Sequence, residues 1–249
     1  MTTSSNTTSG TEANNTAAPQ AEQVLVWDLW LRVTHWLLVL TVAGAWATRK
    51  LPGDWFQLHT WLGYCTFVLV VTRLAWGFVG TRHARFTQFV RGPGAIWRYV
   101  TGLLAGRTVP AAGHNPLGAL SVLALLGLLL GQACTGLFAS DPDVFEYGPL
   151  MGYVSQQLSR QLTGWHEEIA EIMLVFIGLH VLVVLAHLVV KRENLIWPMF
   201  TGRKFADQVP AGEGITSSRL WLALIIVVLL GVALAWVVRA APVAEPAYF

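Results

Sequence analysis

Charge is what this chain has least of. Only 12% of its 249 residues are Asp, Glu, Lys or Arg, against 54% hydrophobic, and the mean hydropathy is +0.53. That is the profile of a polytopic membrane protein, and no nucleic-acid partner is expected; the net charge of +2 says little until it is sorted by loop. Cysteine is nearly as rare. Cys65 and Cys134 stand alone in separate apolar runs, which excludes a CxxCH attachment site and the paired spacings of zinc or iron–sulfur centres. Both read as small buried packing residues. The first 22 residues contain no Lys or Arg, so they lack the basic start of a secretory signal. Rich in Thr, Ser, Asn and Ala, they read as a disordered tail, and the first apolar helix becomes an uncleaved anchor. No internal repeat and no broken apolar segment is evident, which counts against a transporter.

Long hydrophobic runs are what the chain does have. Five are long enough to cross a hydrocarbon core of about 30 Å: residues 26–48, 56–80, 116–139, 166–190 and 220–238. The expected fold class is therefore an all-α membrane protein, a four-helix bundle plus a fifth, C-terminal transmembrane helix. Trp27, Trp30 and Trp36 near one end of the first run and Trp46 near the other suit indoles at headgroup level. The loops sort by charge. Those after the second and fourth runs hold Arg82, Arg85, Arg91, Arg98, Arg107, Lys191, Arg192, Arg203, Lys204 and Arg219, whereas the other two hold only Arg49, Lys50 and Arg160. Basic loops stay inside, so the N-terminus is expected in the cytoplasm and the C-terminus in the periplasm of a bacterial inner membrane. Asp141, Asp143, Glu146, Glu167, Glu168 and Glu171 make the periplasmic surface acidic.

Ionisable groups at bilayer depth are expensive, so histidines inside apolar helices mark a site by default. The fourth run carries His166, His180 and His187. Fourteen residues at about 100° and 1.5 Å each return to within about 40° of the same face, about 21 Å further on. His166 and His180 therefore share a stripe at two depths. With the orientation above, His59 and His166 lie at the outer end of their helices, while His35 and His180 lie about fourteen residues inward. Each pair can clamp one iron from opposite sides, giving an outer and an inner haem with two axial imidazoles apiece. The third and fifth runs contain no histidine; Gly127 and Gly131 in the third form a small-residue packing face.

Further residues qualify this arrangement. His187 lies within about 20° of His180 and about 10 Å nearer the cytoplasm, as an alternative partner for His35, a polar group near the inner haem or at a quinone head, or simply a histidine near headgroup level. Arg32 precedes His35 by three residues on the same face. Arg73, deep in the second run, either meets an anion such as an inner-haem propionate or snorkels to the interface. Gly63 and Gly77 stand four residues after His59 and Arg73, where a missing side chain admits a porphyrin or serves helix packing. His83 and His114, in the basic loop, read as solvated or capping residues.

Arg32-x-x-His35-Trp36, His59 followed by Gly63, Thr72-Arg73-Leu74-x-Trp76-Gly77-Phe78-Val79-Gly80, Gly113-His114-Asn115-Pro116, Trp165-His166-Glu167 and Gly178-x-His180 together resemble the bacterial cytochrome b561 family. That family includes the b-type cytochrome subunits of membrane nickel–iron hydrogenases. The resemblance spans about residues 25–205. It implies a four-helix bundle with two b haems ligated by His35, His59, His166 and His180, passing electrons between a quinone pool and a periplasmic redox partner. The expected division is a tail at 1–22, a di-haem domain at 23–205, and a linker with the fifth helix at 206–249. The acidic outer face suggests a basic partner such as a c-type cytochrome. A second reading makes the chain the membrane anchor of a hydrogenase-like or other dehydrogenase complex, and a third a haem-free transporter or structural bundle. No catalytic side chain is expected in any of them; quinone oxidoreductase activity and assembly with a second copy stay open.

Overall fold

The structure, a computed structural model, describes residues 22–107 and 113–243; the expected disordered tail falls, up to residue 21, outside the described residues. In chain order the elements are β1 (Gln23–Leu25), α1 (Leu29–Thr48), α2 (Phe56–Val79), α3 (Phe86–Phe89), α4 (Pro93–Leu104), α5 (Pro116–Phe138), β2 (Ser140–Asp141), β3 (Glu146–Tyr147), α6 (Gln156–Val189), α7 (Ile196–Thr201), β4 (Arg203–Phe205) and α8 (Leu220–Arg239). Five of these, α1, α2, α5, α6 and α8, are long and apolar enough to span a membrane, so the protein is an all-α membrane protein.

Side chains fix where the spans begin. Asp28 caps α1 by accepting from Leu31 N at 2.8 Å; Asn115 caps α5 from Gly118 N, with Pro116 at the first helical position; Ser155 caps α6 from Leu158 N. The last cap corrects an expected boundary. The fourth span starts at Gln156, ten residues before His166, and its polar first turns are held by Ser159 Oγ donating to Phe138 O and Thr163 Oγ1 donating to Ser140 O. Hydropathy registers only the apolar stretch that lipid requires, not the capped polar turns that continue the same helix.

α1 packs on α2, α2 on α5, α5 on α6, and α8 lies against α2 and α1. A buried cluster of Val70, Leu129 and Met173, with Leu38, Val42, Leu74 and Ile177 around it, fills the middle of the four-helix bundle. A second, of Val26, Trp27, Trp30, Leu31, Trp76, Ala84, Val209 and Ala223, closes the end where the basic loops lie. There β1 pairs antiparallel with β4 (Val24 opposite Lys204), and Val26 N and Trp27 N donate to Gly202 O. At the opposite, acidic end, β2 and β3 form a short hairpin. Cys134 is half-buried, but Cys65 is exposed on the outer face of α2, correcting its reading as a buried packing residue.

Candidate functional site

The bundle brings the membrane histidines together in two pairs. Near the acidic end, His59 of α2 faces His166 of α6 with ring centroids 6.2 Å apart; toward the basic end, His35 of α1 faces His180 of α6 at 6.5 Å. Imidazoles that grip one metal from opposite sides, with bonds of about 2 Å and about 1 Å more to each ring centre, put their centroids about 6 Å apart. Both pairs have that separation. Among the described residues no three His, Cys, Asp or Glu side chains converge on a metal position, so each pair offers two protein ligands, the number that a macrocycle-held iron takes.

Hydrogen bonds orient the pair at the acidic end. His59 Nδ1 lies 3.0 Å from Ala45 O and 3.1 Å from Thr48 Oγ1; His166 Nδ1 lies 2.9 Å from Gln132 O and 3.3 Å from Thr135 Oγ1. A carbonyl can only accept, so this network assigns the proton to Nδ1 in both rings and leaves each Nε2 with a free lone pair, the form in which histidine binds a metal. At His166 that lone pair receives Gln132 Nε2 at 3.1 Å, and Gln132 Oε1 is shut off from solvent without a partner. At the other pair, His35 Nδ1 is likewise buried and unpartnered. The orphaned Gln132 Oε1 beside the His59–His166 pair fits a site built to hold a further polar or metal-bearing group. Gly63 adds room, since a Cβ there would meet nothing within 4 Å.

Other candidate residues lie nearer the basic end. Arg73 is 6% exposed, with Nη1 3.4 Å from Ala84 O and the guanidinium 5.6 Å from the Phe86 ring centre; among the described residues no carboxylate lies within ion-pair distance of it. A buried cation left so calls for an anion, and the carboxylates of a haem supply that chemistry. Phe86 also occupies the space above Gly77, where its ring stands in the place a Cβ would take. Arg32 Nη1 donates to Phe200 O while its Nε is buried without a partner. His187 turns back on its own helix, Nδ1 2.9 Å from Val183 O, and meets no other histidine ring.

His83 and His114 are not solvated. His83 is buried and donates through Nε2 to Glu213 O at 2.7 Å. His114 lies between Trp27 and Phe89, centroids 4.8 and 4.7 Å away, with Nδ1 buried and unpartnered. Burial holds its pKa down to about 3, assisted by Arg73, Lys204, His83 and His180. Burial also lowers Lys204, against an opposing pull from Glu193. Loop position in the sequence suggested water. Trp27 of the N-terminal segment packs against both histidines and Glu213 of the loop before α8 accepts from His83, contacts that only tertiary structure makes.

A profile described as prokaryotic cytochrome b561 matches residues 26–202. The chain belongs to that family. Like other b561 cytochromes it is a multi-pass bacterial membrane protein of electron transfer, and the family implies haem b, for which the paired imidazoles provide fitting axial ligands. This cytochrome is 26% identical over 229 residues to a probable Ni/Fe-hydrogenase B-type cytochrome subunit of Rhizobium leguminosarum bv. viciae, covering 79% of this chain and 95% of the relative. Subunits with the same description from Azotobacter chroococcum mcd 1 and Azotobacter vinelandii are 29% and 27% identical, each over 75% of this chain and 91% of the relative. No solved structure matches it.

Proposed function

We propose that this cytochrome carries electrons across the bacterial inner membrane through two b haems, between a quinone at its basic, cytoplasmic end and a redox partner at its acidic, periplasmic end. His59 and His166 hold the outer haem, His35 and His180 the inner. The observation that carries this is the matched spacing of the two imidazole pairs, 6.2 and 6.5 Å, at two levels of one bundle. A bound b haem supplies a reversible one-electron couple. The chain supplies the rest. Ala45 O and Gln132 O fix the orientation of the outer ligands, the Val70–Leu129–Met173 cluster keeps water out between the levels, and Arg73 and Arg32 present positive charge to the inner haem's carboxylates and to an approaching quinone head.

Substituting His35, His59, His166 or His180 singly by alanine is expected to halve the haem content per chain in a pyridine haemochrome assay, while His187→Ala keeps both. Two haems retained in any of the four variants would sink the assignment.

The relatives favour one partner in particular. All three are described as hydrogenase cytochrome subunits and align over more than nine-tenths of their length, so we read the acidic face, with Glu146 and the Asp141–Asp143 turn, as the docking side for a dehydrogenase subunit. A c-type cytochrome is the other candidate. Gentle solubilisation separates them: the first co-purifies as a stable complex, while the second associates at a salt-dependent rate.

A further inference from the structure

The two histidine pairs differ in what stands behind them. At the outer pair each Nδ1–H is shared between a backbone carbonyl and a threonine hydroxyl. Thr48 Oγ1 spends its own proton on Ala45 O at 2.7 Å, and Thr135 Oγ1 spends its proton on Gly131 O at 2.8 Å. Both oxygens are therefore left to accept, at 3.1 Å from His59 Nδ1 and 3.3 Å from His166 Nδ1. At the inner pair, neither His35 nor His180 makes a hydrogen bond among the described residues, and His35 Nδ1 is closed off from water as well.

Charge is distributed with the same asymmetry. The charged groups facing the outer pair are Arg49 and Glu146, which are joined at 2.7 Å and largely cancel. At the basic end, two buried cations, Arg73 and Lys204, stand against one buried carboxylate, Asp28, among the described residues, with Arg32 half-buried nearby.

Both differences act on an iron couple in the same direction. An acceptor on Nδ1–H pushes electron density onto Nε2, which makes the imidazole a stronger donor and favours the oxidised metal. Nearby positive charge favours the reduced one, which carries one positive charge fewer. We infer that Thr48 and Thr135 are positioning residues that hold the outer haem at a lower reduction potential than the inner haem. This rests on the bis-histidine reading above. An electron delivered at the acidic face then moves downhill toward the basic face, and the return path is uphill.

The test is a spectroelectrochemical titration of the purified holoprotein, with haem counted per chain in every sample. Thr48→Val and Thr135→Val each remove an acceptor without changing bulk. Each is expected to raise the potential of the lower wave and leave the upper wave and the haem count unchanged, and Thr48→Ser and Thr135→Ser should restore the lower wave. Movement of the upper wave instead, or of neither, with two haems present, overturns the inference. The order is also read one haem at a time. His35→Ala should retain the lower-potential haem and His59→Ala the higher, and the reverse order overturns it without any threonine variant. A wild-type chain that counts fewer than two haems overturns the reading beneath it instead.

Discussion

Asp28 accepts hydrogen bonds from Leu31 N, from Trp76 Nε1 at 3.2 Å and from Thr81 Oγ1 at 2.5 Å, and it is 1% exposed. One carboxylate thus caps α1 and ties it to the far end of α2. Asp28→Ala would remove the cap and leave a buried indole N–H without a partner, a loss of about 3 kcal/mol. Thermal unfolding of the detergent-solubilised variant should show a clearly lower midpoint, and an unchanged one would mean that water replaces all three bonds. Asp28 could have been read as a helix cap from its place before an apolar run, but its reach to Trp76 and Thr81 could not. The four histidines are the opposite case. Fourteen-residue spacing and matched depth put His59 level with His166 and His35 level with His180, and the rings meet in those pairs. Gln132, Thr48 and Thr135 carried no such signal, because a threonine three residues from a carbonyl is ordinary until a neighbouring helix delivers an imidazole to it.

At the scale of elements, the five spans were legible because a bilayer demands about 20 apolar residues whatever the fold. Their polar extensions and partners were not. α8 has no histidine and no cap signal, and its place against α2 follows from Ala223, which is 0% exposed in the cluster with Trp76 and Trp27. Ala223→Leu forces three more carbons into that contact and should cost about 1–3 kcal/mol. The expected sign is release of the fifth helix, seen as earlier protease cleavage in the loop at residues 206–219. Cleavage at the wild-type rate would show that α8 merely lies alongside. The α4 helix went unread for another reason. Gly94, Gly102 and Arg98 break up its sequence, and its amphipathic pattern is too short to outweigh them.

For the whole molecule, the basic and acidic ends give the chain a direction. Loops rich in Arg and Lys gather at the end where β1 pairs with β4 and the loop before α8 meets His83, and the Asp141–Glu146 hairpin lies at the other end. Under the positive-inside rule, five spans put the termini on opposite sides. A reporter active only outside the cytoplasm should therefore work when fused after Phe249, and one that matures only in the cytoplasm should work when fused ahead of the first span. The reverse pattern would invert the membrane orientation and exchange the places of quinone and partner.

The sequence by itself determined the membrane class, the number of spans, the charge polarity and the levels of the four histidines. Each follows from local composition and from the fixed rise of a helix, and none needs a neighbour. Only the tertiary structure decided which hydroxyls and carbonyls stand behind each imidazole, that Asp28 bridges two helices, that Phe86 fills the space above Gly77, and that His114 lies shut away beside Arg73. These are contacts between residues far apart in the chain. They depend on how the helices rotate and pack, which no periodicity within a single span encodes.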